Sequence, residues 1–232
     1  MRLKTTVKSF ASKLLAFQRS ESKFVWILIA VSLLILFNPF LPNHGWGSYI
    51  FHFLLLFIIL SGILASSDER QIIHQITFIG IFVVVLDWIA VLAHNYYLSK
   101  LELFIYALYA IVIGLITMAI ILAIISSPRV TVNIICGAVS GYLLIGLSGA
   151  FVALFIETLN PGAFLLGGEL LSREGLADEL IYYSMVSLST IGYGDITPAT
   201  PMARSASLAV GLIGQIYLTV LVAMLVGKFL KN

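Results

Sequence analysis

Thr190-Ile191-Gly192-Tyr193-Gly194-Asp195 lies between a short stretch of mixed polarity and the last long apolar run of the chain, and that placement decides the fold. Inside a bilayer an irregular backbone is tolerated only where it is buried in protein or faces water, because an unpaired amide turned to lipid costs several kcal/mol. Gly192 and Gly194 can adopt the positive φ that other residues resist, so successive carbonyls of this stretch can be turned one way. A row of such oxygens can replace the water shell of an ion.

Working outward, the chain of 232 residues is 60% hydrophobic and 10% charged, with a mean hydropathy of +1.07. A soluble domain of that composition would have too little polar surface to cover itself, so the chain belongs in lipid. The net charge of +2 comes with no basic stripe interleaved with aromatics, which excludes nucleic acid as a partner. Cys136 is the single cysteine and lies in an apolar run, so it packs as a small apolar side chain. Six apolar stretches, 24–41, 49–65, 72–96, 102–127, 130–156 and 203–230, are each near the length of about 20 residues that crosses a hydrocarbon core. The first is followed by Asn38-Pro39-Phe40-Leu41-Pro42 without a small-residue cleavage pattern, and reads as an uncleaved span.

Ten of the thirteen basic residues fall on one side if the N-terminus is cytoplasmic; only Lys100, Arg173 and Arg204 fall on the other. The positive-inside bias therefore predicts that both termini are cytoplasmic, with an even number of spans and the 190–195 stretch toward the exterior. Between the fifth and sixth runs, Asn160-Pro161-Gly162 ends a helix. Ala177 to Ser189 reads as a half-span helix opening on Asp178 and Glu179, where acids suit a helix start. Its carbonyl end at Ser189 then points into the membrane, where partial negative charge favours a cation.

The whole string from Thr190 to Asp195, after a half-helix and before Pro198 and a final span, resembles the filter of the tetrameric potassium channel family, the pore-loop cation channels. The resemblance covers about residues 130 to 230. It implies an all-α membrane protein of six transmembrane helices with a re-entrant pore helix and filter loop, assembled as a homotetramer with three identical subunits around a central pore. It further implies K+ as the permeant ion, held at Thr190, Ile191, Gly192 and Tyr193, with Gly194 and Asp195 closing the outer mouth. Tyr182 and Tyr183 resemble the family's aromatic pair that braces the filter tyrosine; the alternative is a pair of interfacial aromatics. Gly214, in the inner helix, falls at the family's gating hinge, and close packing against the fifth span competes with that reading. On this division, residues 1–23 form a cytoplasmic amphipathic segment, 24–129 a four-helix peripheral, voltage-sensor-like domain, and 130–232 the pore domain.

The carboxylates of Glu157, Glu169, Glu174, Asp178, Glu179 and Asp195, opposed by Arg173 and Arg204, would concentrate cations at the mouth. The fourth span carries no charge between Glu102 and Arg129, so a membrane potential, worth about 2.3 kcal/mol per charge per 100 mV, extracts almost nothing from it and weak voltage dependence is expected. Asp87 is the ionisable residue deep in the third span. Either it is protonated and bonded to backbone or water, or it pairs with His52, the nearest candidate in depth, as a possible buried polar pair. His44, His74 and His94 have no metal-site spacing. Leu3, Val7, Phe10, Leu14 and Phe17 recur at helical spacing among lysines, which fits a helix on the inner leaflet attracted to anionic lipid.

No nucleophile–base set or phosphate loop supports an enzyme, and no cofactor is implied besides the permeant K+. Three readings compete: a potassium-selective channel, a non-selective cation channel, and a secondary transporter or non-conducting accessory subunit. A transporter would show inverted repeats, which this chain lacks. The expected location is the plasma (inner) membrane. With Asn232 following the sixth run, no cytoplasmic ligand-binding domain is expected in cis.

Overall fold

The structure, a computed structural model, describes residues 23–42, 45–65, 70–93 and 99–230. The amphipathic segment expected over 3–17, and also His44 and His94, lie outside these residues. Among the described residues seven α-helices follow in order: α1 Lys23–Phe37, α2 Trp46–Ala65, α3 Arg70–Ala93, α4 Ser99–Ser126, α5 Val132–Leu159, α6 Leu176–Leu188 and α7 Pro201–Phe229. A single 3-10 turn, Asn38–Phe40, follows α1. Each apolar run of the sequence is thus a helix, with ends within a few residues of those expected.

Five of these helices are long and apolar enough to cross a membrane, and α3 carries a further apolar stretch, Thr77–Val91. Helix starts are chemically marked where the chain turns back on itself. Thr131 caps α5 by accepting from the Ile134 amide, and Thr200 caps α7 from the Ala203 amide with Pro201 behind it. Both caps satisfy amides that would otherwise face lipid or the interface unpaired.

α5 is the centre of the molecule and touches α1, α4, α6 and α7. In lipid, apolar side chains gain little by leaving the solvent, so helices associate where small residues allow backbones close. α5 supplies such residues in a row, each seating a different neighbour. A methyl group at Gly137 would lie 3.0 Å from the Phe24 ring of α1, one at Gly141 2.5 Å from the Tyr217 hydroxyl of α7, and one at Gly146 2.6 Å from the Met185 sulfur of α6. At Gly149 it would meet Ser184 and Val210, both at 2.7 Å. α1 is further pinned by the Asn133 side chain, which accepts from the Phe24 amide at 2.9 Å. α4 joins α5 through the short connection 127–131, and α1 and α4 lie against the α5 of their own chain. At that end Lys228 of α7 donates to the carbonyls of Ile124, Ile125 and Ser127 at 2.8, 2.8 and 2.7 Å.

The segment between α5 and α6 contains two short strands, β1 Phe164–Leu166 and β2 Glu169–Leu170. A third, β3 Ile196–Pro198, completes an antiparallel sheet of order β2-β1-β3. Leu165 pairs with both Leu170 and Thr197, so the sheet ties the segment before α6 to the segment after it.

Candidate functional site

α6 opens after Gly175, whose φ of 81° turns the chain into the helix, and carries Asp178 and Glu179 in its first turn. The Asp178 carboxylate accepts from the Asn38 amide in the turn after α1. Burial and the neighbouring Glu179 push the Asp178 carboxyl up to about 6. Those two effects outweigh the helix N-terminus, which favours the charged form. α6 is fixed on α5 by hydroxyls that end on backbone: Ser184 donates to Gly146 O at 2.7 Å and Tyr142 donates to Leu188 O at 3.1 Å.

Beyond Leu188 the chain leaves the helix without leaving its hydrogen-bonding reach. The amide of Thr190 donates to Ser187 O at 3.1 Å, and those of Ile191 and Gly192 to Val186 O at 3.0 and 3.4 Å. Thr190, Gly192 and Gly194 have φ of 59°, 59° and 79°, while Ile191 and Tyr193 between them keep negative φ. Backbone that alternates in handedness aligns its N–H groups along one edge and its carbonyls along the other. The amide edge faces α6, so the carbonyl edge is the one left for a ligand. Nothing lies within 4 Å of a methyl group added at Gly192 or Gly194, so what demands glycine there is the backbone angle. Thr190 takes the same angle as a non-glycine residue, which the sequence did not announce.

Asp195 closes the stretch through three bonds. Its side chain accepts from the Tyr182 hydroxyl at 2.6 Å and from the Ile196 amide at 3.0 Å, and its carbonyl accepts from the Gly167 amide at 2.8 Å. The Tyr182 bond holds the Asp195 carboxyl below the usual carboxylate range and pushes the Tyr182 phenol up to about 12. Tyr183 donates to the Ser207 hydroxyl of α7 at 2.6 Å and meets the Phe164 ring edge-on at 5.1 Å. The two tyrosines therefore hold the end of the stretch and α7, and among the described contacts neither bonds to Tyr193, which is 70% exposed. Ile191 is 54% exposed.

Gly214 packs against α6: a methyl group there would meet the Leu188 side chain at 2.6 Å and its carbonyl at 3.1 Å. α7 runs through this point as one continuous helix. Glu157 is buried and accepts from the Gly162 and Phe164 amides at 2.7 and 2.8 Å, so it shapes the turn after α5 and is absent from the open mouth.

Away from this region, His52 Nδ1 lies 2.7 Å from Asp87 Oδ2, and the Tyr109 hydroxyl of α4 donates to the same oxygen at 2.8 Å. Tyr109 was missed in the sequence, although its place about a third of the way along α4 matches Asp87 in depth and could have suggested it. No group of three side chains able to hold a metal is found among the described residues.

Residues 130–231 match the profile of a family described as ion channels. A voltage-gated potassium channel from Aeropyrum pernix is 33% identical over 89 residues, 38% of this chain and 27% of the relative. A two pore potassium channel c from Oryza sativa subsp. japonica is 44% identical over 52 residues, 22% of this chain and 11% of that protein. The chain thus spans about a quarter or less of the length of these curated relatives. No solved structure matches it.

Proposed function

The chain belongs to the pore-loop potassium channel family through its residues 130–231, a family of channels and not of enzymes, and on that premise we propose that it conducts K+ passively and selectively across the membrane. The observation that carries the reading is the alternation of backbone handedness at Thr190, Gly192 and Gly194, with the amides of 190–192 tied back to α6. The carbonyls of Thr190, Ile191, Gly192 and Tyr193, with the Thr190 hydroxyl, replace the hydration shell, and Gly194 and Asp195 form the outer mouth. K+ is the permeant ion, and no cofactor takes part.

One loop cannot encircle an ion, so four copies surround the axis. The exposure of Ile191, Tyr193, Leu208, Leu212 and Ile216 in a single chain supports faces covered by other copies. Tyr182 and Tyr183 brace the filter by holding Asp195 and α7. Six helices span the membrane, α3 included, and α6 enters without crossing. Residues 24–129 act as the peripheral unit and 130–232 as the pore. Both termini are cytoplasmic, the mouth faces outward from the plasma (inner) membrane, and anionic lipid attracts the N-terminal segment. With a neutral α4, opening depends weakly on voltage.

Single-channel recording in planar bilayers under a potassium-to-sodium gradient tests the reading. A reversal potential near that of potassium is expected; one near zero would sink selectivity, and a steep conductance–voltage curve would sink the weak voltage dependence. Mass measurement of detergent-extracted particles is expected to give four chains.

A further inference from the structure

The polar cluster of His52, Asp87 and Tyr109 joins three helices through a single carboxylate oxygen, Asp87 Oδ2. Asp87 is 5% exposed and Tyr109 1%. All three line a cavity of about 490 Å³ that is walled on its other side by the segment leading into α6. The titratable and charged groups facing the cluster across this space are Glu102 and Tyr106 of α4, Glu157 of α5, Arg173, and Asp178 of α6. Glu157 is committed to two amides and Asp178 to Asn38. The cavity lies on the same side of the chain as the end of the 190–195 stretch, since its lining includes the residues that follow α5 and precede α6.

An ionised group at this depth persists only where it is paired or hydrated. With a neutral imidazole giving its Nδ1 proton to Asp87, the cluster carries one negative charge; a proton added at Nε2 turns it into a neutral imidazolium–carboxylate pair. Imidazole is the side chain whose ordinary titration falls between about pH 5 and 8. The change is felt beyond the three helices, because the Tyr109 ring stacks on Phe151 of α5 at 4.8 Å and 23°. Phe151 is buried on the helix that seats α6 through Gly146 and Ser184.

We infer that the His52–Asp87–Tyr109 cluster is a proton-binding site open to the mouth side of the membrane, and that its occupancy alters channel opening through the Tyr109–Phe151 stack. This rests on the channel reading above. The test uses the full chain in oriented bilayers, stepping the mouth-side pH between about 8 and 5 with the other side fixed. Open probability is expected to change about fivefold or more in the wild type, a size usual for coupling between sites. His52→Gln is expected to flatten the response and Tyr109→Phe to shift its midpoint. Asp178→Asn, the control for the other acid on the cavity, is expected to retain it.

The assignment is overturned if His52→Gln titrates like the wild type, if only the opposite side responds, or if Asp178→Asn alone removes the response. A parallel titration of ¹⁵N-histidine resonances in liposomes does not require current. An imidazole signal that is lost in His52→Gln and displaced in Tyr109→Phe is expected, and a His52 resonance that stays fixed across the range overturns the site. A silent bilayer would count against conduction, and the resonance titration would then decide the proton site alone.

Discussion

Around the loop that follows α6, several of the contacts that fix positions are hydroxyls that end on backbone atoms. Tyr142 reaches Leu188 O, Ser184 reaches Gly146 O and Tyr217 reaches Ala138 O, each across helices. In α1 to α4 the fully buried positions are instead aliphatic, with Ile27, Val31, Leu34, Ile58, Ile113 and Ile116 at 0% exposure. The buried polar side chains described there are Ser61 and Thr117, each bonded to a carbonyl of its own helix, and the cluster on Asp87. In lipid, aliphatic packing supplies dispersion contacts that survive small changes in shape, whereas a hydroxyl aimed at one carbonyl sets a distance. The first kind of contact suits a scaffold; the second suits the oxygens that the proposed function sets around an ion.

The sharpest way to break this contrast is inside the loop. Gly194→Ala forces a Cβ onto a backbone at φ 79°, a strain of about 1–2 kcal/mol. Because the carbonyl row depends on that angle, rubidium uptake into liposomes is expected to fall to background while the protein still folds. Next in size is Gly149→Val. A side chain there meets Ser184 and Val210 within 2.7 Å, and overpacking of this kind costs about 1–3 kcal/mol. Thermal unfolding followed by tryptophan fluorescence is expected to shift down by several degrees, with loss of the assembled particle.

A smaller effect is expected at Asp178, whose folded-state carboxyl is pushed up to about 6 from 3.8. A raised carboxyl stabilises the fold when protonated, so that contribution is complete below about pH 4 and is lost as the pH rises through about 6. Asp178→Asn keeps an oxygen for Asn38 and is expected to raise the melting temperature at pH 8 but not at pH 4. The smallest effect is reserved for the scaffold: Ile113→Val, at a fully buried position of α4, is expected to cost about 1 kcal/mol and leave conductance unaltered. A conductance change there would dissolve the distinction between the two regions.

The helices were legible because each is a run of apolar residues of membrane length, and α6 because its first turn is acidic and Asn160-Pro161-Gly162 stops the helix before it. The 190–195 stretch was legible because its glycines alternate. The sheet was not, since strands of two or three residues such as Glu169–Leu170 show no alternation that a sequence could display. Gly214 showed that a glycine reports close approach without naming the neighbour; the partner proved to be Leu188 of α6, set by the fold of the loop. Glu157 looked like one more mouth carboxylate, and only the turn at 160–164 reveals two amides that require it. Tyr109 completes the Asp87 cluster from a third helix, a juxtaposition that depth along separate helices suggests but spacing in the chain cannot fix.

Lys228 bears on motion at the opposite end of the molecule. Its ammonium rivets the C-terminal end of α7 to carbonyls at and just beyond the end of α4 with three bonds. Any swing of that end must drag the peripheral bundle along or shear the rivet. In the proposed assembly of four, such rivets would make the bundle a brake on the far end of the pore, and discharging one lysine would loosen one quarter of it.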